Sequence, residues 1–131
     1  MVRGFVPQGW RLRKARYNFI GSRCDGCDVV HFPPRTFCMS CGKDGLVSHA
    51  LSGVGKVVSY TTIHAPPTGY EGETPYVVGV VELKEGPLVT AQIDVDVGSV
   101  RVGVPVRVVF RRLHDNDESG ILFYGFKFVP Q

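Results

Sequence analysis

Four cysteines, Cys24, Cys27, Cys38 and Cys41, are all that the chain has, and they fall in one stretch with the pattern C-x2-C-x10-C-x2-C. Two residues between the members of a pair let a tight turn present both sulfurs to one point, and ten residues between the pairs let the chain cross out and return. Four thiolates about 2.3 Å from a common centre close a tetrahedron round a zinc ion. Gly26 and Gly42 stand where such turns bring backbone close to sulfur and where a positive φ is useful. Paired disulfides or a redox dithiol are the competing uses of the spacing. His31 and His49 are of a type that can stand in for a thiolate, but with four thiols at ribbon spacing they read as ordinary surface histidines.

A site closed by four protein ligands has no open position for water or substrate, so the expected zinc is structural. A ribbon of about 25 residues buries too little apolar surface to stay folded alone. Zinc binding supplies on the order of 10 kcal/mol of apparent free energy that is also folding free energy. The clamp makes a small, stiff platform.

The remaining length, within 131 residues, suits one modest domain. A composition of 44% hydrophobic and 21% charged residues excludes a disordered or fibrous chain. Apolar runs are far shorter than a membrane span, and no secretory stretch follows Met1, so a cytoplasmic protein with no membrane partner is expected. Thiols stay reduced there, which favours metal over disulfides. The formal charge of +3 is uneven: residues 1–23 hold six basic side chains and no acid, whereas residues 50–131 are net −2.

Residues 8–20, "QGWRLRKARYNFI", are rich in helix formers, with Trp10, Tyr17 and Ile20 at helical spacing and Leu12, Ala15 and Phe19 widening the apolar side. This pattern predicts a short amphipathic helix ending near Gly21. Its basic residues suit a solvated face or a docking element, and its aromatic residues suit packing on the chain's own ribbon or on a partner. From residue 54 the pattern becomes short β-rich runs at 54–65, 76–83, 88–95, 104–113 and 121–129, separated by Gly, Pro, Asp and Asn. Five strands with little helix between them point to an oligonucleotide/oligosaccharide-binding (OB) barrel, with a sandwich as the other solution. Mixed alternation in "VGKVVSYTTIH" suits a curved first strand shared by two layers. The fold expected is mainly β, in three parts: a helical arm at 1–22, a zinc ribbon at 23–50 and a five-stranded barrel at 51–131.

A catalytic set is not evident. The serines lie in no G-x-S-x-G elbow, and no P-loop or G-x-G-x-x-G occurs. His64 with Glu71 or Glu73 is the one candidate acid/base group, against the plainer reading of a strand-end histidine beside an acidic loop. Asp94 and Asp96 read more simply as solvated than as cation ligands. Ribbons and OB barrels both recur in nucleic-acid-binding proteins, and aromatic residues for stacking are present, but a phosphate-tracking groove needs concentrated Lys and Arg. Residues 50–131 are net −2 and hold one basic cluster, Arg107, Arg111 and Arg112, so single-stranded nucleic acid is the weaker reading unless those arginines and the N-terminal helix converge on one face.

The stretch "WRLRKARYNFIGSRCDGCDVVHFPPRTFCMSCG", with "GKVVSYTTIHAPPTGYEGETPYVVGVVEL", "LVTAQID", "VGVPVRVVFRR" and "YGFKFVP", resembles the acyl-CoA-associated zinc-ribbon/OB-fold family, in particular its archaeal branch. The resemblance runs over nearly the whole chain. It implies a helix, a rubredoxin-like ribbon and an OB barrel, in that order. It also implies a non-catalytic scaffold bridging acetoacetyl-CoA thiolase and 3-hydroxy-3-methylglutaryl-CoA synthase in the mevalonate pathway, with adaptors of thiolase-like aldolases and hydratases as the other branch. Trp10, Arg11, Arg13, Lys14, Arg16 and Tyr17 of the arm, with His64 and Tyr70 of the proline-rich loop, are then the candidate contacts to a partner enzyme or to acyl-CoA.

Overall fold

The computed structural model describes residues 6–66, 74–116 and 121–131. The arm is two short helices, α1 (Val6–Arg11) and α2 (Arg13–Asn18), in place of one. Leu12, at φ −94° and ψ 8°, breaks the regular geometry without breaking the ladder, since its N–H donates to the Gln8 carbonyl at 3.0 Å and its own carbonyl accepts from Arg16 at 3.0 Å. The expected helix to Gly21 stops earlier. Phe19 takes φ 55°, its N–H donates to the Lys14 carbonyl, and Ile20 already belongs to a strand. Left-handed geometry at a bulky residue costs about 1–2 kcal/mol, so tertiary packing holds it there.

That packing is aromatic. Phe19 is 4% exposed and lies 4.6 Å from Phe32, 5.0 Å from Phe126 and 6.1 Å from Phe128, ring centre to ring centre. Arm, ribbon and barrel therefore meet on one side chain.

In the ribbon, β1 (Ile20–Arg23) pairs antiparallel with β2 (Val30–His31) and with β3 (Val47–Ala50). Gly21 allows this close approach, because a Cβ there would meet the His31 carbonyl oxygen. Ser22, 4% exposed, accepts a 3.0 Å bond from the Arg35 N–H and ties the inter-pair loop to the sheet.

The five expected strands form as β4 (Val54–Ile63), β5 (Tyr76–Leu83), β6 (Leu88–Ile93), β7 (Pro105–Asn116) and β8 (Ile121–Pro130). They close into a barrel in the order β4-β5-β6-β8-β7, with β6 and β8 parallel. This is an OB barrel, and closure removes the sandwich alternative. A bulge between Val57 and Ser59 bends β4 so that its first residues also pair with β7. Strict alternation on β5 sends Val77, Gly79, Val81 and Leu83 inward, where Val57, Ile93, Val106 and Phe128 complete the core. Burying each large aliphatic or aromatic side chain contributes about 1.5–3 kcal/mol.

Candidate metal centre and its surroundings

Each cysteine pair sits on a turn of the same build. The Cys24 carbonyl accepts from the Asp28 N–H at 2.9 Å and the Cys24 N–H donates to Val29 at 3.0 Å; Cys38 repeats the arrangement with Gly42 at 2.9 Å and Lys43 at 2.7 Å. The fourth residue after each leading cysteine is left-handed, Asp28 at φ 57° and Gly42 at φ 76°. Gly42 therefore serves as expected. At the first turn the positive φ falls on Asp28 and not on Gly26, because the left-handed position comes after the second sulfur. Asp is among the few side chains that accept it readily.

These turns bring Cys24 Sγ to 3.5 Å from Cys41, and Cys27 Sγ to 3.5 Å from Cys38 and 3.7 Å from Cys41. All four sulfurs lie within 4.8 Å of one another. A tetrahedron with zinc–sulfur bonds of about 2.3 Å has edges of about 3.8 Å, whereas a disulfide needs about 2.05 Å. The spacing is that of four ligands round one ion, and the cysteines are free of disulfides. Cys24, Cys27, Cys38 and Cys41 form a structural zinc site.

The His31 side chain, with the backbone amides of Cys41 and Ser40, draws the Cys38 thiol down to about 5. The Cys27 backbone amide, with that of Gly26, lowers Cys24 against the opposing effect of burial. At Cys27 the Val29 amide acts in the same lowering sense, but the neighbouring Cys38, Cys24 and Cys41 thiols and desolvation push it up to about 12. Cysteine binds zinc as the thiolate, so an ion at this centre would oppose that rise. His31 acts beside the cluster and not in it, and His49 lies elsewhere, near Glu85.

Around this centre several apolar side chains face outward. On the ribbon, Phe37 and Met39 are exposed on either side of Cys38. On the arm, Trp10, Leu12 and Tyr17 are exposed, while Ala15 and Phe19 face the body. The alternatives for the arm aromatics thus divide: Phe19 packs internally, Trp10 projects outward, and Tyr17 does both, touching Phe110 with its ring while staying half exposed. Arg11 and Lys14 are exposed, and Arg16 is half-buried. Arg13 lies 4.1 Å over the Trp10 ring.

His64 is exposed just beyond β4; Tyr70, Glu71 and Glu73 lie outside the described residues, so the structure does not address that acid/base group. Asp94 and Asp96 are exposed beyond the end of β6 and belong to no metal-holding cluster among the described residues. A crevice of about 500 Å³ opens between ribbon and barrel, lined by His31, Phe32 and Arg35 on one side and Glu85 and Leu88 on the other. Sequence patterns had no means of finding it, since it joins segments 50 residues apart. Nor did they single out Phe110, which stacks on Tyr124 at 5.3 Å on the surface of the barrel. No helix among the described residues is long and apolar enough to cross a membrane.

Comparison with known proteins agrees with this architecture. Residues 13–47 match the family described as the ChsH2 rubredoxin-like zinc ribbon domain, and residues 48–111 match the ChsH2 C-terminal OB-fold domain. A DUF35 domain-containing scaffold protein of Methanocaldococcus jannaschii is 41% identical over 95% of this chain and 90% of its own. Benzoylsuccinyl-CoA thiolase subunit BbsA of Thauera aromatica is 30% identical over 82% of this chain and 73% of its own. Among solved structures, a chain of the Ltp2-ChsH2(DUF35) aldolase superimposes with a TM-score of 0.71 at 26% identity, covering 99% of this chain and 96% of that one. With zinc ribbon, barrel and near full-length identity all in agreement, the chain belongs to the DUF35 family of zinc-ribbon/OB-fold proteins.

Proposed function

We propose that this protein is a non-catalytic, cytoplasmic adaptor that joins an acetoacetyl-CoA thiolase to a 3-hydroxy-3-methylglutaryl-CoA synthase in the mevalonate pathway. Thiolase condensation is uphill, and holding the next enzyme nearby raises the effective concentration at which its product is consumed. In this reading the arm (1–22) and ribbon (23–50) dock the enzymes, and the barrel (51–131) contributes to an acyl-CoA site. Trp10, Arg11, Arg13, Lys14, Arg16 and Tyr17 are the proposed contacts on the arm, and His64 and Tyr70 those on the proline-rich loop.

The observation that carries the proposal is the use made of the metal and the aromatic junction. A coordinatively closed ion and the Phe19 cluster stiffen a small body whose exposed apolar residues lie on two separate elements, Trp10 and Tyr17 on the arm and Phe37 and Met39 on the ribbon. A bridge needs two such surfaces. The relatives favour the same class, being named as a scaffold protein and a thiolase subunit.

Nucleic acid is disfavoured by the barrel face that OB folds use for ligands, formed here by β5 and β6. Its outward residues are Tyr76, Val78, Val80 and Glu82 opposite Leu88, Thr90 and Gln92, with no Lys or Arg among them. Affinity purification of tagged protein from its native lysate tests the proposal. Thiolase and synthase should be retained through nuclease treatment, and the isolated chain should not turn over acetoacetyl-CoA. Release of every partner by nuclease, or acyl-CoA turnover by the chain alone, would overturn the adaptor role.

A further inference from the structure

One face of the β7–β8 hairpin carries a continuous row: Val106, Val108 and Phe110 on β7, opposite Pro130, Phe128 and Phe126, with Tyr124 next along β8. Burial falls along it. Val106 and Phe128 are fully buried in the barrel, Val108 and Phe126 are half-buried, and Phe110 and Tyr124 are 51% and 39% exposed. Yet this outermost layer is ordered like core. Phe110 and Tyr124 stack with ring centres 5.3 Å apart and planes 17° apart, and Tyr17 of α2 meets Phe110 at 5.3 Å and 76°. Tyr17 is itself 47% exposed. Single exposed apolar residues are ordinary, but three interlocked rings supplied by arm and barrel together form a core layer with one side missing.

Charge indicates what supplies that side. Arg13 and Lys14 stand four and three residues before Tyr17 on α2, so they share its side of the helix. The arm has no acidic residue, and Arg11, Arg13, Lys14 and Arg16 form no ion pair among the described residues. Arg13 is held in place by its 4.1 Å contact with the Trp10 ring and a 2.8 Å bond to the Trp10 carbonyl. The platform is apolar at its centre and cationic beside it.

A second copy of this chain would bring like charges together in a two-fold contact. Bases stack on open ring faces, whereas Phe110 already has one face against Tyr124 and meets Tyr17 at a steep angle. An acidic, apolar protein surface satisfies both features. We propose that Tyr17, Phe110 and Tyr124, flanked by Arg13 and Lys14, form a composite platform that docks the thiolase-type partner. This rests on the adaptor reading, and it requires the arm and barrel to bind as one surface.

Titration of the full-length, zinc-loaded protein against the acetoacetyl-CoA thiolase of its own organism tests it. Tyr17→Ala and Phe110→Ala should each weaken Kd by at least about tenfold, as central aromatic anchors do. Lys14→Glu should weaken binding and flatten its salt dependence. Val102→Ala, exposed in the turn before β7, should stay within about twofold. Zinc content and far-UV circular dichroism establish that each variant is folded, and should Phe110→Ala fail this, Tyr17→Ala and Lys14→Glu decide. Wild-type binding with no loss in the platform variants would overturn the platform and leave the adaptor role standing. Failure of the wild type to bind thiolase would overturn the adaptor role first. Tight oligothymidylate binding, or self-association, that Phe110→Ala abolishes would overturn the platform in favour of those occupants.

Discussion

Asp28 and Gly42 occupy equivalent places in two equivalent turns, each four residues after a leading cysteine and each left-handed. Asp28 also faces Arg23 at 3.6 Å, but both side chains are solvated and such a pair contributes little. Backbone conformation should therefore dominate the effect of replacing it. Asp28→Gly is expected to lie within about 0.5 kcal/mol of wild type, relief of the left-handed cost being offset by a freer unfolded chain. Asp28→Val should lose about 2 kcal/mol, since a β-branched residue tolerates the conformation worst. Urea unfolding of zinc-loaded protein measures both. Glu85 gives a residue-level dependence on pH. Burial disfavours its charge, but the Ser52 hydroxyl and the Ser52 N–H at 2.7 Å, with His49 nearby, outweigh it and hold the carboxyl below its usual range. A depressed carboxyl stabilises the fold above its unfolded pKa of about 4.3 and loses that contribution as pH falls through the folded value. After allowance for partial exposure, Glu85→Gln should cost about 0.5–1 kcal/mol at pH 7. The urea midpoints of mutant and wild type should converge by about pH 3; an equal gap at both pH values would contradict the assignment.

Among the elements, the strands and the metal turns were legible and the arm was less so. The five barrel strands follow from period-two runs bounded by Gly, Pro and Asp, and the C-x2-C pairs have one simple geometric solution. Helical periodicity across residues 8–20 missed the reversal at Phe19, because rings from residues 32, 126 and 128 hold it there and no local pattern encodes such contacts. The Tyr17–Phe110–Tyr124 layer was hidden for the same reason: it joins segments about 90 residues apart. If Phe19 is the joint of the molecule, removing its ring should damage all three parts. Phe19→Ala leaves the left-handed backbone in place and opens a cavity, so a loss of about 3–4 kcal/mol is expected, with Phe19→Leu recovering part of it. Limited proteolysis should then cut the mutant between β1 and β4 at a protease level the wild type resists. Equal resistance would mean that arm and ribbon dock without this ring.

Over the whole molecule, two sources of order meet at an aromatic seam: apolar burial in the barrel, and metal coordination in the ribbon. Val57, Val77, Val81, Ile93 and Val106 all come from the barrel segment, so its central core does not need the metal. The ribbon depends on it, having Cys24 and Cys38 as its fully buried side chains. Phe19 and Phe32, packed on Phe126, connect the two. Cys38→Ser, or chelation of zinc from the wild type, should then release the ribbon and arm while the barrel persists. Far-UV circular dichroism should keep most of its strand signal. The barrel should melt lower by roughly 10 °C, the effect of losing about 2 kcal/mol of aromatic cover from a domain of this size. Thiolase capture should fall together with zinc content, because Tyr17 is then no longer held against Phe110. A metal-free chain that melted at the wild-type temperature would show the ribbon to be an independent appendage, and collapse of the strand signal would show that the barrel folds only with its clamp closed.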